Sequence, residues 1–335
     1  MKNITYPLLI FMLILFMGGC ATLHSTVHEI KGQFYDIQGQ YYLDRNDFAA
    51  GKSTFAPRLA EKPDDPVLNY YMARFELGAD NPEAALPLIQ KAVRLSPGIA
   101  DYHFWEGVTW WALMKPDKEK AAYEKALAID PNHFSANLYL GHNLLDRGKN
   151  AEALKRYELV LSQNPVEPQA MFNKAVALER QKKYREMKLA MQRYLERYPD
   201  AALARQGARM LNKAGDFSWR NHPIGLRTVT LHAVEFKPGT AELTPASEAS
   251  LDRVGDILSD NPGLGLHVVV YVKNDANLAR ARAQAVQDYV SRTHSGVGPE
   301  RLTPRWVGKP ETITAAGRKH TLAESVNIFT RIQKP

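Results

Sequence analysis

The stretch Lys125-Ala126-Leu127-Ala128-Ile129-Asp130-Pro131 closes a helical run with a proline, and Lys91-Ala92-Val93-Arg94-Leu95-Ser96-Pro97 closes an earlier run in the same way. Two later runs end alike, and the four prolines are equally spaced along the chain: Pro97, Pro131, Pro165 and Pro199. Proline cannot continue a helix and disfavours helical geometry in the residue before it, so each proline ends one unit. A constant period of about 34 residues predicts a stacked array of similar helical units rather than a catalytic globule.

Residue types between the prolines also repeat. When each proline is counted as position 32, position 8 is always small: Ala73, Gly107, Gly141 and Ala175. Positions 24 and 27 are mostly apolar or aromatic: Ile89, Tyr123, Tyr157 and Met191, then Ala92, Ala126, Val160 and Tyr194. Because these two positions lie three residues apart, they share one helix face and are expected to pack on neighbouring helices. This pattern resembles the tetratricopeptide repeat (TPR) family, which implies an all-α solenoid that binds other proteins.

The limits of the array follow from the same period. One step back from Pro97 lies Pro63, and residues 46–63 are interpreted as a degenerate first repeat. The segment from Asp200 to Lys213 is predicted to be a solitary helix that covers the last apolar face of the array. The array is therefore expected to occupy residues 46–215.

The resemblance also predicts where a partner would bind. Position 5 of each repeat faces the concave groove in this family, and here it carries Tyr70, Phe104, Leu138 and Phe172. Positions 9 and 12 add Arg74, Trp111, His142 and Glu179. These residues predict an apolar groove for envelope proteins, in which aromatic anchors supply most of the affinity. A second interpretation stays open, in which much of the stripe is core or is covered by the amino-terminal segment.

The amino terminus predicts the compartment. Residues 1–19 hold a short basic start, an apolar stretch and two glycines, and Cys20 follows directly. This resembles a bacterial lipoprotein signal, which implies a diacylglycerol thioether on Cys20 and acylation of its amine. Ala21 after the cysteine implies sorting to the outer membrane, facing the periplasm, with residues 20–45 as a tether. A membrane anchor or an ordinary cleaved signal are the alternatives.

Composition narrows the function classes. A chain of 335 residues suggests two domains, and Cys20 is its only cysteine, which excludes disulfides within the chain and any CxxC site. The net charge is +7, but lysine and arginine are scattered over predicted helix faces, so no nucleic acid partner is expected. The ten histidines have neither paired spacing nor matching acids, and no metal, cofactor or enzymatic activity is predicted.

After Gly215 the sequence changes character. Residues 216–227 lack a helical period and are interpreted as a linker. Strands are then predicted at 228–236, 266–272, 302–307 and 325–332, with helices from Thr244 to about Ser259 and from Ala276 to Arg292. This order predicts a small α/β (βαβαββ) sandwich over residues 228–335, with its helices on one face of the sheet.

Two segments of this region resemble the OmpA-like C-terminal domain, a family that grips peptidoglycan in the periplasm. One is Val234-Glu235-Phe236-Lys237-Pro238-Gly239-Thr240-Ala241-Glu242-Leu243-Thr244-Pro245, which looks like the opening of that domain. The other is Leu278-Ala279-Arg280-Ala281-Arg282-Ala283-Gln284-Ala285-Val286, which looks like its arginine helix. The resemblance covers roughly residues 228–332 and implies peptidoglycan as a partner.

The binding residues of that family transfer only in part. The family places Gly-His-Thr-Asp after its central strand, and its aspartate holds the ammonium group of diaminopimelate. Here Lys273 falls near the expected acid, and Asp275 is the candidate substitute from a displaced position. Arg282 keeps the place of the arginine that pairs with the carboxylate of the peptide. The family's Asn-Arg-Arg is replaced by Ala323-Glu324-Ser325.

Two functions remain after this reasoning. The first is an outer-membrane lipoprotein that scaffolds or assembles an envelope complex, such as a secretion, pilus or polysaccharide-export machine. The second is an anchor that ties the outer membrane to peptidoglycan.

Overall fold

The computed structural model describes residues 34–331, and the chain divides into two compact units between Gly148 and Lys149. This division places the last repeats in the same unit as the sheet, whereas the domain boundaries predicted at 215 and 228 follow the repeats. Those boundaries stay a prediction.

The described part of the first unit is helical. It contains α1 (residues 34–44), α2 (Phe48–Glu61), α3 (Pro66–Gly78), α4 (Pro82–Leu95), α5 (Ala100–Ala112), α6 (Pro116–Ile129) and α7 (Phe134–Asp146). Pro66, Pro82 and Pro116 each begin a helix, where the missing N–H costs no hydrogen bond. Pro97 and Pro131 follow the ends of α4 and α6, as the period predicts.

Small residues allow the helices of one repeat to approach closely. A side chain added at Gly107 of α5 would collide with the ring of Tyr123 on α6. Ile89, Tyr123, Ala92 and Ala126 are all fully buried. The predicted packing face of the second helix in each repeat is therefore confirmed for this unit.

The start of the array differs from the prediction. Residues 34–44, assigned to the tether, form α1, and its Tyr42 hydroxyl lies 3.0 Å from the Thr54 hydroxyl of α2. Residues 46–63 hold one helix, α2, so the first helical pair begins earlier than residue 46. Asn46 makes the turn between them with a positive φ of 54°, and Asp80 makes the corresponding turn one repeat later with a φ of 57°.

The second unit begins with helices α8 (Asn150–Gln163), α9 (Pro168–Arg180), α10 (Tyr184–Arg197) and α11 (Ala204–Lys213). Tyr157, Met191 and Val160 are fully buried, as their repeat positions predict. The helix α11 lies within the predicted closing segment, and Ala204, Ala208 and Leu211 of α11 join the core of the preceding repeat.

An α/β region follows in the same unit. Its elements are β1 (Trp219–Ile224), β2 (Arg227–His232), α12 (Pro245–Asp260), β3 (Leu266–Val272), α13 (Ala276–Thr293), a 3-10 turn (Pro299–Arg301), β4 (Leu302–Val307), β5 (Glu311–Ala315), β6 (Arg318–Leu322) and β7 (Glu324–Thr330). The central strand β3 pairs in parallel with β4 and antiparallel with β7. The pairs β1–β2 and β5–β6 are two antiparallel hairpins.

Alternation along β3 places the core on one side of the sheet. Leu266, Val268, Val270 and Val272 are buried and belong to the cluster that contains the apolar residues of α12 and α13. The intervening residues of β3 are only partly buried. The strand is therefore fully buried on one face only, although its sequence is apolar throughout.

Three strands were not expected from the sequence. Residues 216–227, interpreted as a linker, contain β1, which is held by its pairing with β2 around a turn at Gly225 (φ 62°). The hairpin β5–β6 precedes β7 and turns at Ala316 and Gly317. The first predicted strand is also shorter, because β2 ends at His232 and Phe236 makes only an isolated bridge to Leu243.

Candidate functional site

The predicted groove stripe is largely core in the first unit. Tyr70, Phe104 and Leu138 are each no more than 6% exposed. The Phe104 ring stacks on Tyr123 with ring centroids 5.7 Å apart and lies edge-on to Tyr139 at 5.6 Å. These three side chains thus offer little surface to a ligand, because they are used in packing between helices.

Two of the predicted residues lie in one polar network. Arg74 donates a hydrogen bond to the Tyr70 hydroxyl at 3.1 Å, and its guanidinium lies over the Trp105 ring at 4.2 Å. The Tyr70 hydroxyl donates to Asp101, which also accepts from Nε2 of His133 at 3.0 Å. The hydrogen bond from His133 lowers the pKa of Asp101, whereas burial raises the pKa of Tyr70. Sequence reasoning missed Asp101 and His133, although they lie about one repeat apart.

The other predicted groove residues differ in exposure. Trp111, near the end of α5, is 60% exposed, whereas His142 of α7 is partly buried. Burial lowers the pKa of His142. Trp111 is therefore the residue of the predicted set in this unit whose side chain is most available to a partner.

Two predicted groove residues belong to the second unit. Phe172 is 3% exposed and lies edge-on to Tyr194, with ring centroids 5.3 Å apart. Glu179 is partly buried near the end of α9. Phe172 is therefore a core residue of its own repeat.

The three candidate peptidoglycan-binding residues have different roles in the structure. Lys273 is exposed after β3, and its backbone N–H donates to the Ala323 carbonyl at 2.7 Å. Asp275 caps α13, because its carboxylate accepts a hydrogen bond from the Leu278 N–H at 2.8 Å. Arg282 lies farther along the same helix and is 1% exposed.

The guanidinium of Arg282 is held by three contacts. Its Nε donates to the Thr240 carbonyl at 2.7 Å, and its Nη1 donates to the Glu324 carboxylate at 2.8 Å. The charged group also lies 4.8 Å from the centroid of the Phe236 ring. Among the described residues, the buried Nη2 has no hydrogen-bond partner.

A cavity of about 250 Å³ lies beside this guanidinium. Its lining includes Glu235, Phe236, Tyr271, Arg282, Glu324 and Ser325, whereas neither Lys273 nor Asp275 lines it. Sequence reasoning missed Glu324 as a partner of Arg282. The signal available was an acidic residue at a position where the OmpA-like family has a basic one.

Other predictions fall on different parts of the chain. Cys20 lies outside the described residues. Within residues 34–331, no helix combines the length and the apolar composition needed to cross a bilayer. The same residues contain no cluster of three or more histidine, cysteine, aspartate or glutamate side chains that could hold a metal ion.

Solved structures of other proteins are similar to about half of the chain. The crystal structure of the MamA protein is 18% identical with a TM-score of 0.44, covering 50% of this chain and 91% of that one. YrrB, described as a TPR protein with an unusual peptide-binding site, is 18% identical with a TM-score of 0.44, covering 51% and 88%. MamA from residue 41 onward of Desulfovibrio magneticus RS-1 is 21% identical with a TM-score of 0.43, covering 45% and 86%. Comparison with curated proteins gives no match.

Two family models match separate parts of the described sequence. The tetratricopeptide repeat model matches residues 70–134 and 138–202, and the OmpA family model matches residues 235–324. The first match contains most of α3 and α7 and the whole of the other helices from α4 to α10, and the second contains Arg282 and Glu324. The chain therefore combines a tetratricopeptide-repeat array with a carboxy-terminal domain of the OmpA family.

Proposed function

We propose that this protein is a scaffold that binds other envelope proteins through its repeats, as an outer-membrane lipoprotein that faces the periplasm. The domain combination supports a binding role rather than catalysis. The observation that carries the scaffold proposal is the exposed Trp111 in the repeat that ends at Pro131. An envelope machine for secretion, pilus assembly or polysaccharide export is the proposed context.

Met114 strengthens the case for this surface. It is 84% exposed and has a positive φ of 55° at a turn that recurs every 34 residues as Asn46, Asp80, Met114, Gly148 and Lys182. A left-handed backbone costs a non-glycine residue roughly 1–2 kcal/mol. Met114 is the apolar member of this set, so an apolar side chain stands here at a conformational cost and without burial. Trp111 and Met114 together fit an apolar anchor site for a partner, because tryptophan is enriched among binding hot spots.

Cross-linking in living cells tests this surface. A photoreactive amino acid at position 111 or 114 is expected to capture an envelope protein, and Trp111→Ala is expected to weaken that capture tenfold or more. The matched control is Tyr184 of α10, a 50% exposed aromatic residue at which no capture of the same protein is expected. If positions 111 and 114 capture only this chain, the proposed partner surface is wrong.

The lipid anchor is tested at Cys20. Cys20→Ala is expected to leave an uncleaved precursor in the inner membrane, because both lipid attachment and cleavage need that thiol. Membrane fractionation with acyl labelling measures both steps. Recovery of the variant in the outer membrane at the normal level would contradict the lipoprotein proposal.

A second candidate function is peptidoglycan binding, and Arg282 favours it. A buried guanidinium whose Nη2 has no partner within residues 34–331 can donate to an acceptor that enters the adjacent cavity. A charge-assisted hydrogen bond of this kind contributes about 1.5–3 kcal/mol. An arginine is the residue best suited to hold a carboxylate, which the stem peptides of peptidoglycan carry.

Sedimentation with purified sacculi separates the two functions. If the wall is a ligand, the full chain is expected to sediment, diaminopimelate is expected to compete, and Arg282→Ala is expected to abolish the effect. Arg280→Ala is the matched control, because Arg280 is an exposed arginine of the same helix and lies over the Trp306 ring. The absence of sedimentation by the unmodified chain would leave the scaffold proposal alone.

A further inference from the structure

We propose that Glu324 is a built-in carboxylate ligand of Arg282, which lowers the affinity of the adjacent cavity for a carboxylate from outside the chain. Glu324 would then decide which ligands this site accepts. The inference deepens the second candidate function, and it rests on that function only for the identity of the natural ligand.

Arg282 has more N–H donors than its partners among the described residues use. A guanidinium carries five N–H donors in a planar fork, and it binds a carboxylate best when two of them point at the same group. Here Nε is bound to the Thr240 carbonyl and Nη1 to one oxygen of Glu324, while Nη2 has no partner among the described residues. The carboxylate of Glu324 thus occupies part of the fork, and the remaining donor stays available beside the cavity.

Glu324 reaches Arg282 from the start of β7. It begins β7 opposite Val272, and the Lys273 N–H holds the preceding Ala323 carbonyl. Its side chain is 52% exposed, whereas that of Arg282 is 1% exposed. The arginine is therefore fixed in the core, and the glutamate reaches it from a partly solvated position.

This difference in exposure makes the contact exchangeable. A half-exposed carboxylate recovers its hydration when it leaves the arginine, so releasing it costs little free energy. The buried guanidinium, in contrast, needs an acceptor wherever Glu324 is absent. A ligand carboxylate could take the place of Glu324 without any movement of the helix that carries Arg282.

The lining of the cavity carries more acidic than basic residues. Arg282 is its basic residue, and Glu235 and Glu324 are its acidic residues, so the formal charge of the lining is −1. A carboxylate that enters must share the guanidinium with Glu324 or displace it, and like charges at this distance repel. Glu324→Gln removes the charge of this competitor, and the neutral amide oxygen that replaces it holds Nη1 less strongly than a ligand carboxylate does.

Titration calorimetry of the full chain with meso-diaminopimelate tests the inference. Glu324→Gln is expected to bind this probe at least tenfold more tightly than the unmodified chain, and Glu324→Ala is expected to show the same gain. The double variant Glu324→Gln/Arg282→Lys is expected to lose it, because lysine cannot offer the planar fork. Glu248→Gln is the matched control, since it removes an exposed carboxylate from the neighbouring α12.

The outcomes are decisive in both directions. The inference is overturned if neither Glu324 variant gains affinity while both retain the thermal unfolding transition of the unmodified chain. It is also overturned if the gain survives in the double variant or appears equally in Glu248→Gln. A tighter Glu324→Gln variant that still fails to sediment with sacculi would support the inference and contradict wall binding as the function.

Discussion

Two arginine–glutamate pairs in the second unit use the same chemistry in different surroundings. Arg220 of β1 and Glu311 of β5 form a bidentate pair at 2.9 and 3.0 Å, with both side chains at most 14% exposed. The pair of Arg282 and Glu324 has a single hydrogen bond, and its glutamate is 52% exposed. Both side chains of the first pair are largely buried, and we call it the closed pair. In the second pair only the arginine is buried.

Additional partners separate the two pairs further. Burial alone would raise the pKa of Glu311, but hydrogen bonds from Arg220 and Asn327 outweigh it, so the pKa of this carboxyl lies below its ordinary value. Arg282 instead keeps one buried donor without a partner among the described residues. We therefore interpret the bidentate, largely buried Arg220–Glu311 pair as structural, and the Arg282–Glu324 pair, which leaves one buried donor over, as exchangeable.

The largest expected effect is the loss of Glu311. Glu311→Gln is expected to destabilise the α/β region by about 3–5 kcal/mol, because it leaves the charge of Arg220 buried without a counter-ion. Hydrogen exchange of the amides in β3 and β7 measures this free energy of opening. A loss below about 1 kcal/mol would mean that the Arg220–Glu311 pair is no more structural than a surface pair, and the comparison would fail.

The stability of the α/β region is expected to depend on pH through His222, which lies close to the closed pair. Burial, assisted by the charge of Arg220, lowers the pKa of His222 to about 4, and its Nδ1 accepts a hydrogen bond from the Ile328 N–H. The unfolded chain binds this proton near its ordinary pKa of 6.5. The contribution of neutral His222 to the free energy of unfolding is therefore complete above about pH 6.5. It is lost as the pH falls towards 4, by about 3 kcal/mol in total.

Replacing the titrating group isolates this contribution. In His222→Gln, the loss of stability between pH 7 and pH 4.5 is expected to be smaller than in the unmodified chain by about 2–3 kcal/mol. Hydrogen exchange of β7 amides, corrected for the intrinsic pH dependence, is the measurement. Equal losses in the two proteins would show that His222 is not held neutral beside the closed pair.

The third expected effect concerns the half-exposed pair. Arg282→Ala is expected to lower the free energy of unfolding by about 2–3 kcal/mol. It removes the hydrogen bond to Thr240 and the contact with the Phe236 ring, and it leaves the space of a buried side chain empty. Glu324 regains water in this variant, so no buried charge is left behind. A cost as large as that of Glu311→Gln would indicate that Glu324 is not free to become solvated.

The sequence predicted some of these features and not others, for physical reasons. Helices α3 to α10 were predictable because Pro97, Pro131, Pro165 and Pro199 fix the phase of a local period. Helix α1 was missed although Asn46 occupies the turn position one repeat before Asp80. The strand β1 was missed because Pro223 and Gly225 are typical of turns, and its order comes from pairing with β2.

The site was less predictable than the fold. Arg282 was identified through a resemblance, but its burial depends on how α13 packs on the sheet. Its partner Glu324 is brought to it by the register of β7 on β3, in which Val272 faces Glu324. The burial of Tyr70 and Phe104 likewise depends on contacts between helices, and position in the repeat could not distinguish a groove residue from a core residue.

The smallest expected effect would sharpen the comparison most. Glu324→Gln is expected to cost less stability than the changes above, although it leaves the buried Arg282 without a counter-ion, because the pair has a single hydrogen bond, its carboxylate is half exposed and a glutamine can still accept from Nη1 of Arg282. A double-mutant cycle of Glu324→Gln with Arg282→Ala should therefore give a smaller coupling than the cycle of Glu311→Gln with Arg220→Ala. Hydrogen exchange of the same β3 and β7 amides serves both cycles, so the two couplings are compared in one reporter. Couplings of equal size would show that exposure of one partner does not separate an exchangeable ion pair from a structural one in this domain. A small coupling at Glu324 together with a large one at Glu311 would mean that the fold does not require the Arg282–Glu324 contact, and its retention would then have to be explained by what the cavity binds.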